Sequence, residues 1–335
     1  MKISTARTPI TAAGAALAMA ALSLSACSGE EAADGSVSVS YFANTLTGLP
    51  VEVAEQEGFF ERNALDVEIQ SGTSGPALLQ AVVAGQSDVA VIPASVAATA
   101  LGQGSTIKAI VGGGGGSTVV VSNGVDVADE AYPESAQLLA GKTIAITAPG
   151  GYSDQLFRFI EEDAAVADME YVTVAGVAEN ISALESGRVD ALNLDPVSAI
   201  RVQRLELGHI LYDLQETGPS NLLDVPVAYT WANEEFADED DAEAFAKSIT
   251  QAVEWIQDPE NSAALEDRIK TLLGDDELDL TEDELNLIRG AFVAHIDPAG
   301  LTESFALAGA DVDPADVIGG GAPTSQADVD ALLDE

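Results

Sequence analysis

Two stretches about a hundred residues apart share one pattern, and no other feature limits the folds open to this chain so strongly. Ala81-Val82-Val83-Ala84-Gly85-Gln86-Ser87-Asp88-Val89-Ala90 reads as a helix end, a glycine stop and a strand opened by aspartate. Ala183-Leu184-Glu185-Ser186-Gly187-Arg188-Val189-Asp190-Ala191-Leu192 repeats it. In both, glycine and aspartate stand three apart and the strand runs into a proline, Pro93 and Pro196. Glycine supplies the left-handed residue that ends a helix. Helices alternating with strands imply a mainly parallel sheet covered on both faces. A repeat at this distance therefore predicts an α/β chain of two lobes with like topology.

A strand-loop-helix series surrounds each copy. Val37, Val39 and Tyr41 alternate as one face of a strand, the loop Asn44 to Gly48 follows, and Pro50 suits the first turn of a helix that runs to Glu57 and stops at Gly58. Next come a strand at Val67 to Ile69, a loop at Ser71 to Gly75 and a helix at Pro76 to Ala84. Around the second copy, Thr143 to Thr147 predicts a strand, Ala148 to Ser153 a glycine-bearing loop, Asp154 to Glu162 a helix and Tyr171 to Val174 another strand.

Two segments read as strands that cross between lobes: Gly112 to Ser122, which starts with five glycines, and Asp224 to Trp231. The helices expected at Asp240 to Ile256, Ser262 to Leu273 and Thr281 to His295 then pack back on the first lobe. The resulting division is residues 36–117 and 232–318 for lobe one, 118–231 for lobe two, and a partly mobile Gly- and Asp-rich tail over 319–335.

At the other end, Lys2 and Arg7 precede a charge-free apolar stretch from Thr11 to Leu24, the pattern of a secretory signal over residues 1–26. It is shorter than the ~20 residues a membrane span needs. The tetrapeptide Leu24-Ser25-Ala26-Cys27 that follows resembles a bacterial lipobox. That resemblance implies cleavage before Cys27, lipidation of its thiol, and an extracytoplasmic protein held to the membrane by lipid. Cys27 is the chain's one cysteine, so no intramolecular disulfide can form. Residues 27–35 read as a flexible tether.

The body is strongly acidic, with 56 Asp+Glu against 13 Lys+Arg and a net charge of -43. That charge repels nucleic acid and anionic membrane surfaces, so neither is expected as a partner. Such an excess strains a compact fold unless counterions screen it, which points to a salty environment.

Catalytic machinery is scarce. His209 and His295 have no paired nucleophile in motif form, and no phosphate loop, zinc motif or nucleophile elbow is present. Gly112 to Gly116 lacks the Lys-Ser/Thr of a phosphate loop and reads as a hinge or close-approach segment. No enzyme activity, cofactor or metal is expected. Binding groups are more plentiful. In open α/β sheets ligands sit beyond the carboxyl ends of the strands, so the loops there supply the candidates. These are Asn44, Thr45, Thr47, Ser74, Gly75 and Ser95 in the first lobe, and Gly150, Gly151, Tyr152 and Ser153 in the second. Small and hydroxyl residues at helix starts leave backbone donors for an anion or carbonyl, and plain capping is the alternative role for each. Tyr152 and Trp231 are the aromatics placed to flank a ligand.

The chain resembles the nitrate, sulfonate, taurine and thiamine-precursor group of ABC solute-binding proteins. Four stretches in order carry the resemblance: Leu49 to Phe60 with Leu65 to Glu68, Ala84 to Ala90, Gly141 to Ile146 with Pro149-Gly150, and Ser186 to Ala191 with Asp195-Pro196. Asp195 stands where many relatives show glutamate. The resemblance implies a two-lobed periplasmic-binding-protein-like fold of type II with the ligand between the lobes. It also implies a monomer that delivers a small polar, anionic or pyrimidine-like solute to an ABC permease and ATPase, with Asp195 near the ligand. Two alternatives stay open: a secreted enzyme on the same fold, of the pyrimidine-precursor type, and the ligand-binding module of a sensor.

Overall fold

The alternation of Val37, Val39 and Tyr41 becomes β1 (Val37–Phe42), with all three side chains buried. The computed structural model describes residues 36–125, 131–214, 217–220, 222, 225–275 and 277–334; Cys27, the signal and the tether lie outside them. After β1 come α1 (Leu49–Gln56), with Pro50 in its first turn, and the short α2 (Phe59–Arg62). Next are β2 (Val67–Gly72), α3 (Gly75–Val83), β3 (Val89–Pro93), α4 (Ala94–Leu101) and β4 (Lys108–Gly114).

The chain then builds a second sheet from β5 (Thr118–Ser122), β6 (Thr143–Ile146), α5 (Tyr152–Asp163), β7 (Glu170–Thr173), α6 (Val177–Glu185), β8 (Ala191–Leu194), α7 (Pro196–Arg204) and β9 (Gly208–Asp213). It returns to the first sheet as β10 (Ala228–Ala232). The last part holds α8 (Glu234–Ala237), α9 (Asp240–Gln257), α10 (Ser262–Leu273), α11 (Glu282–Gly290), β11 (Phe292–Val293), α12 (Pro298–Leu307) and α13 (Gln326–Asp334).

The strand orders are β11-β4-β10-β3-β1-β2 and β7-β6-β8-β5-β9. In the first sheet β1 runs parallel to β2 and β3, and in the second β6 runs parallel to β7 and β8. The strands on either side of the crossings, β4, β5, β9 and β10, pair antiparallel. Each sheet is therefore mixed, a parallel αβ unit with antiparallel strands added where the chain changes lobes. Helices cover both faces, and the stacked rings of Phe60 and Phe245, 5.3 Å apart, tie α2 to α9 over the first sheet.

The repeated pattern does the same work in both lobes. Gly85 and Gly187 take φ of 66° and 69° and end α3 and α6. The next amide in each case, Gln86 or Arg188, donates back to Ala81 or Ala183, the six-residue closure of a Schellman end. The aspartates then clamp the neighbouring parallel strand. The Asp88 carboxylate accepts from the Ser38 amide at 2.8 Å, and the Asp190 carboxylate from the Thr143 amide at 2.9 Å.

Two expectations need correction. The crossings are not long strands. Gly114 ends β4 and Thr118 begins β5, so only 115–117 pass between sheets, and the return is strand only from Ala228 onward. Asp224 lies outside the described residues. Gly112 and Gly113 are held in the first sheet, where a Cβ would lie 2.3 Å from the Val293 carbonyl oxygen and 2.6 Å from that of Ala228. Pro226 has no N–H with which to extend a ladder. Second, α11 stops at Gly290, and Phe292–Val293 pairs with β4 as an edge strand, leaving His295 outside a helix. The Gly- and Asp-rich tail carries one further helix. α13 buries Val329 and Leu332, three apart and so on one face, in the first lobe's core.

Candidate functional site

The carboxyl ends of β1, β3, β6 and β8 face one another across a cavity of about 100 Å³ between the lobes. Phe42, Thr45, Thr47, Gly75, Leu78 and Pro93 line it from the first lobe. Thr147, Tyr152, Ser153, Val177, Asn180, Asn193 and Asp195 line it from the second. This follows the rule that open α/β sheets bind at the carboxyl edge, applied to two sheets at once.

Local chemistry sets what each polar group can offer. Thr45 donates its hydroxyl proton to the Phe42 carbonyl at 2.8 Å, so in the 2.6 Å pair with Thr47 it is Thr47 that donates. Asn180 spends its amide donors on the carbonyls of Val174 and Gly176, and Asn193 on the Ser117 hydroxyl and the Thr118 carbonyl. Each asparagine keeps a carbonyl oxygen, an acceptor. Asp195 is the N-cap of α7: one carboxylate oxygen accepts from the amides of Val197 and Ser198, the other from the Ser198 hydroxyl at 2.6 Å. Burial pushes its carboxyl above the ordinary range, against the pull of these cap bonds. Burial also raises the Tyr152 phenol to about 12, with the Asp213 charge adding to the rise and a hydrogen bond with Ser117 opposing it. Tyr152 is therefore a neutral hydroxyl at any physiological pH.

Three helices start at this cavity without a side-chain cap: α3 after Ser74, α5 after Gly151 and α6 after Gly176. Their first-turn N–H groups carry partial positive charge. Among the described residues no lysine, arginine or histidine lines the cavity, and Asp195 is the one formal charge. The remaining wall is apolar, from Phe42, Leu78, Val91, Pro93, Val177, Leu194 and Val227. Among the described residues no group of three or more His, Cys, Asp or Glu could hold a metal ion, and no helix is long and apolar enough to cross a membrane.

Of the residues singled out from sequence, the structure brings Thr45, Thr47, Gly75, Tyr152, Ser153 and Asp195 together at the cavity. The others sit elsewhere. Asn44 is exposed, with φ of 57°, and lines a smaller gap beside α7. Ser74 precedes α3 without lining the cavity. Ser95 is buried in α4, its hydroxyl without a partner. Gly150 is exposed and gives its amide to the Asp154 carboxylate, while Gly151 is buried in the turn beneath, where a Cβ would lie 3.0 Å from the Ala148 carbonyl oxygen. Trp231 is fully buried against Phe305 in the first lobe's core and cannot flank a ligand here; its position on the core side of β10 decides this. Sequence reasoning missed Asn180 and Asn193. Both are polar residues at buried or half-buried positions of an otherwise apolar helix face and strand, the signal that could have found them.

A model of the NMT1-like family matches residues 30–270. YtlA of Bacillus subtilis (strain 168), which carries the name of a binding protein, is 23% identical over 265 residues, 77% of each chain. Among solved structures, a protein from Bordetella bronchiseptica RB50 superposes with a TM-score of 0.73 at 22% identity, over 90% of this chain and 97% of that one. The alkanesulfonate-binding protein SsuA from Xanthomonas axonopodis pv. citri, bound to MOPS, gives 0.65 at 14% identity over 86% and 99%. These structures share the two-lobed fold.

Proposed function

The chain belongs to the NMT1-like family, and from that premise we propose that it is the solute-binding protein of an ABC importer. It captures a small molecule between its lobes and passes it to a permease driven by an ATPase. The observation that carries this reading is that both lobes contribute polar groups to one cavity at the carboxyl ends of their strands, so a ligand there draws the lobes together. The names of SsuA and YtlA support a binding role over a catalytic one. The lipobox-like Leu24 to Cys27 supports a lipid-held, extracytoplasmic position.

The chemistry of the lining narrows the solute. Asn180, Asn193 and Asp195 face it as acceptors, the uncapped helix starts as donors, and the walls are apolar. Such a site suits an uncharged or zwitterionic organic molecule bearing N–H or O–H groups on a compact apolar or aromatic body. A bare inorganic anion would meet the Asp195 charge with no cationic side chain to offset it. The test is thermal unfolding against a panel of aminopyrimidines, taurine, small amides, nitrate and sulfate. A ligand at a hundredfold its Kd stabilises by about 2.7 kcal/mol, which a melting curve resolves. Stabilisation by a donor-bearing organic solute and none by nitrate or sulfate is expected; the reverse pattern overturns this reading of the solute.

A further inference from the structure

Helix α7 belongs to the second lobe by connectivity, lying between β8 and β9, yet most of its polar reach is into the first. Its N-cap Asp195 lines the cavity, and Val197 in its first turn packs into the first lobe's core cluster. At its other end two arginines meet carboxylates carried by the first lobe's C-terminal helices. Arg201 Nε stands 2.9 Å from Asp275 Oδ2. Arg204 Nη2 reaches both oxygens of Glu284, at 2.7 and 2.6 Å, while its Nη1 donates to the Asp279 carbonyl. Glu284 is fixed in advance, because it closes the capping box of α11 with Thr281. The other ion pairs among the described residues lie within one lobe.

From this placement we infer that Arg201 and Arg204 form an electrostatic latch that holds the lobes together at the end of α7 remote from the cavity. The guanidinium suits the task better than an ammonium, because its planar donors can serve a carboxylate and a carbonyl together. The carboxylates are 14% and 20% exposed and the arginine side chains 45% and 40%, so the pairs lie at the rim of the seam, within reach of salt screening. A gap of about 60 Å³ lies along the same seam, with Val177, Ile181 and Val197 on one side and Leu273 and Leu278 on the other, so the ion pairs flank an incompletely filled apolar contact. A second contact between lobes, Gln155 to the Ser95 carbonyl and the Thr99 hydroxyl, is uncharged and leaves the salt-sensitive hold to α7. Because one rigid helix carries both Asp195 and the arginines, closing the cavity and engaging the latch are one movement.

The latch is tested on ligand-free protein, so its failure is distinct from failure of the solute reading. Small-angle X-ray scattering and amide exchange at the seam would compare the parent with the Arg201→Gln/Arg204→Gln double variant, at 0.1 M and 1 M sodium chloride. Two such pairs predict a closed-to-open ratio lower in the variant by a factor of roughly 2 to 30. The variant should therefore show a larger radius of gyration and faster exchange in α11 at low salt. The gap to the parent should narrow at 1 M, where the Debye length is ~3 Å. Arg201→Asp should open the seam and the swap Arg201→Asp/Asp275→Arg should close it again, which separates a latch from a folding defect. A double variant as compact and as protected as the parent at low salt, or a swap that fails to restore the seam in a protein with parental circular dichroism, overturns the inference.

Discussion

Asp195 shows how one residue can be divided between structure and site. Its carboxylate caps α7 and satisfies Ser198, and it also supplies the cavity's formal charge. Burial raises its pKa above the ordinary aspartate value. A carboxyl raised on folding contributes stability in its protonated form, fully present below the unfolded value of about 3.9 and lost as pH rises through the raised folded value. Asp195→Asn keeps an oxygen for the cap and removes the charge. Its melting temperature, measured beside the parent from pH 4 to 8, should gain on the parent as pH rises. Parallel curves would show that the charge costs the fold nothing. Asp195 was legible in sequence only through the family resemblance that Asp195-Pro196 helps to carry; its place as the cap of α7 comes from the structure. Asn180 and Asn193 were not, since their role depends on which face of α6 and β8 turns toward the other lobe, and one lobe's periodicity carries no information about the other's position.

Among the elements, the two αβ turns were the most legible part of the chain, because glycine, aspartate and spacing are local signals. The structure gives the pattern its physical basis: a left-handed glycine ends α3 or α6, and an aspartate three residues on holds the adjacent parallel strand by its amide. Beyond the glycine and its chain neighbours, no heavy atom lies within 4 Å of a Cβ built at Gly85 or Gly187, so the cost of a side chain there is conformational rather than steric crowding. Gly85→Ala and Gly187→Ala should each lower unfolding stability by roughly 1–2 kcal/mol in urea titrations. Unchanged midpoints in both would mean that neither turn needs the left-handed residue. The crossings were misread for a physical reason as well. Alternating Val225, Val227, Tyr229 and Trp231 has the period of a strand, but pairing begins only where β3 and β4 can receive it, at Ala228. Likewise α13 looked like tail by composition, and only the waiting core of the first lobe fixes it.

On the scale of the whole molecule, a net charge of -43 surrounds a cavity that no cationic side chain lines among the described residues. The field of such a body repels anions over a Debye length of ~10 Å at 0.1 M salt, and it also strains the closed arrangement of two acidic lobes. A donor-bearing neutral or zwitterionic solute and an arginine-fastened seam are consistent answers to that one constraint. The central claim is that the cavity between the sheets is where this protein holds its solute, and Gly75 at the start of α3 is the position that tests it. A Cβ there would lie 3.4 Å from Val96, close enough to touch and open enough to fold, so Gly75→Asp should put a carboxylate into the cavity of an intact protein. Native mass spectrometry of parent and variant, both purified from the native host without dialysis, decides the matter. A one-to-one small-molecule adduct on the parent that is missing from Gly75→Asp is the predicted result. The same adduct on both proteins, or none on the parent, would contradict the account.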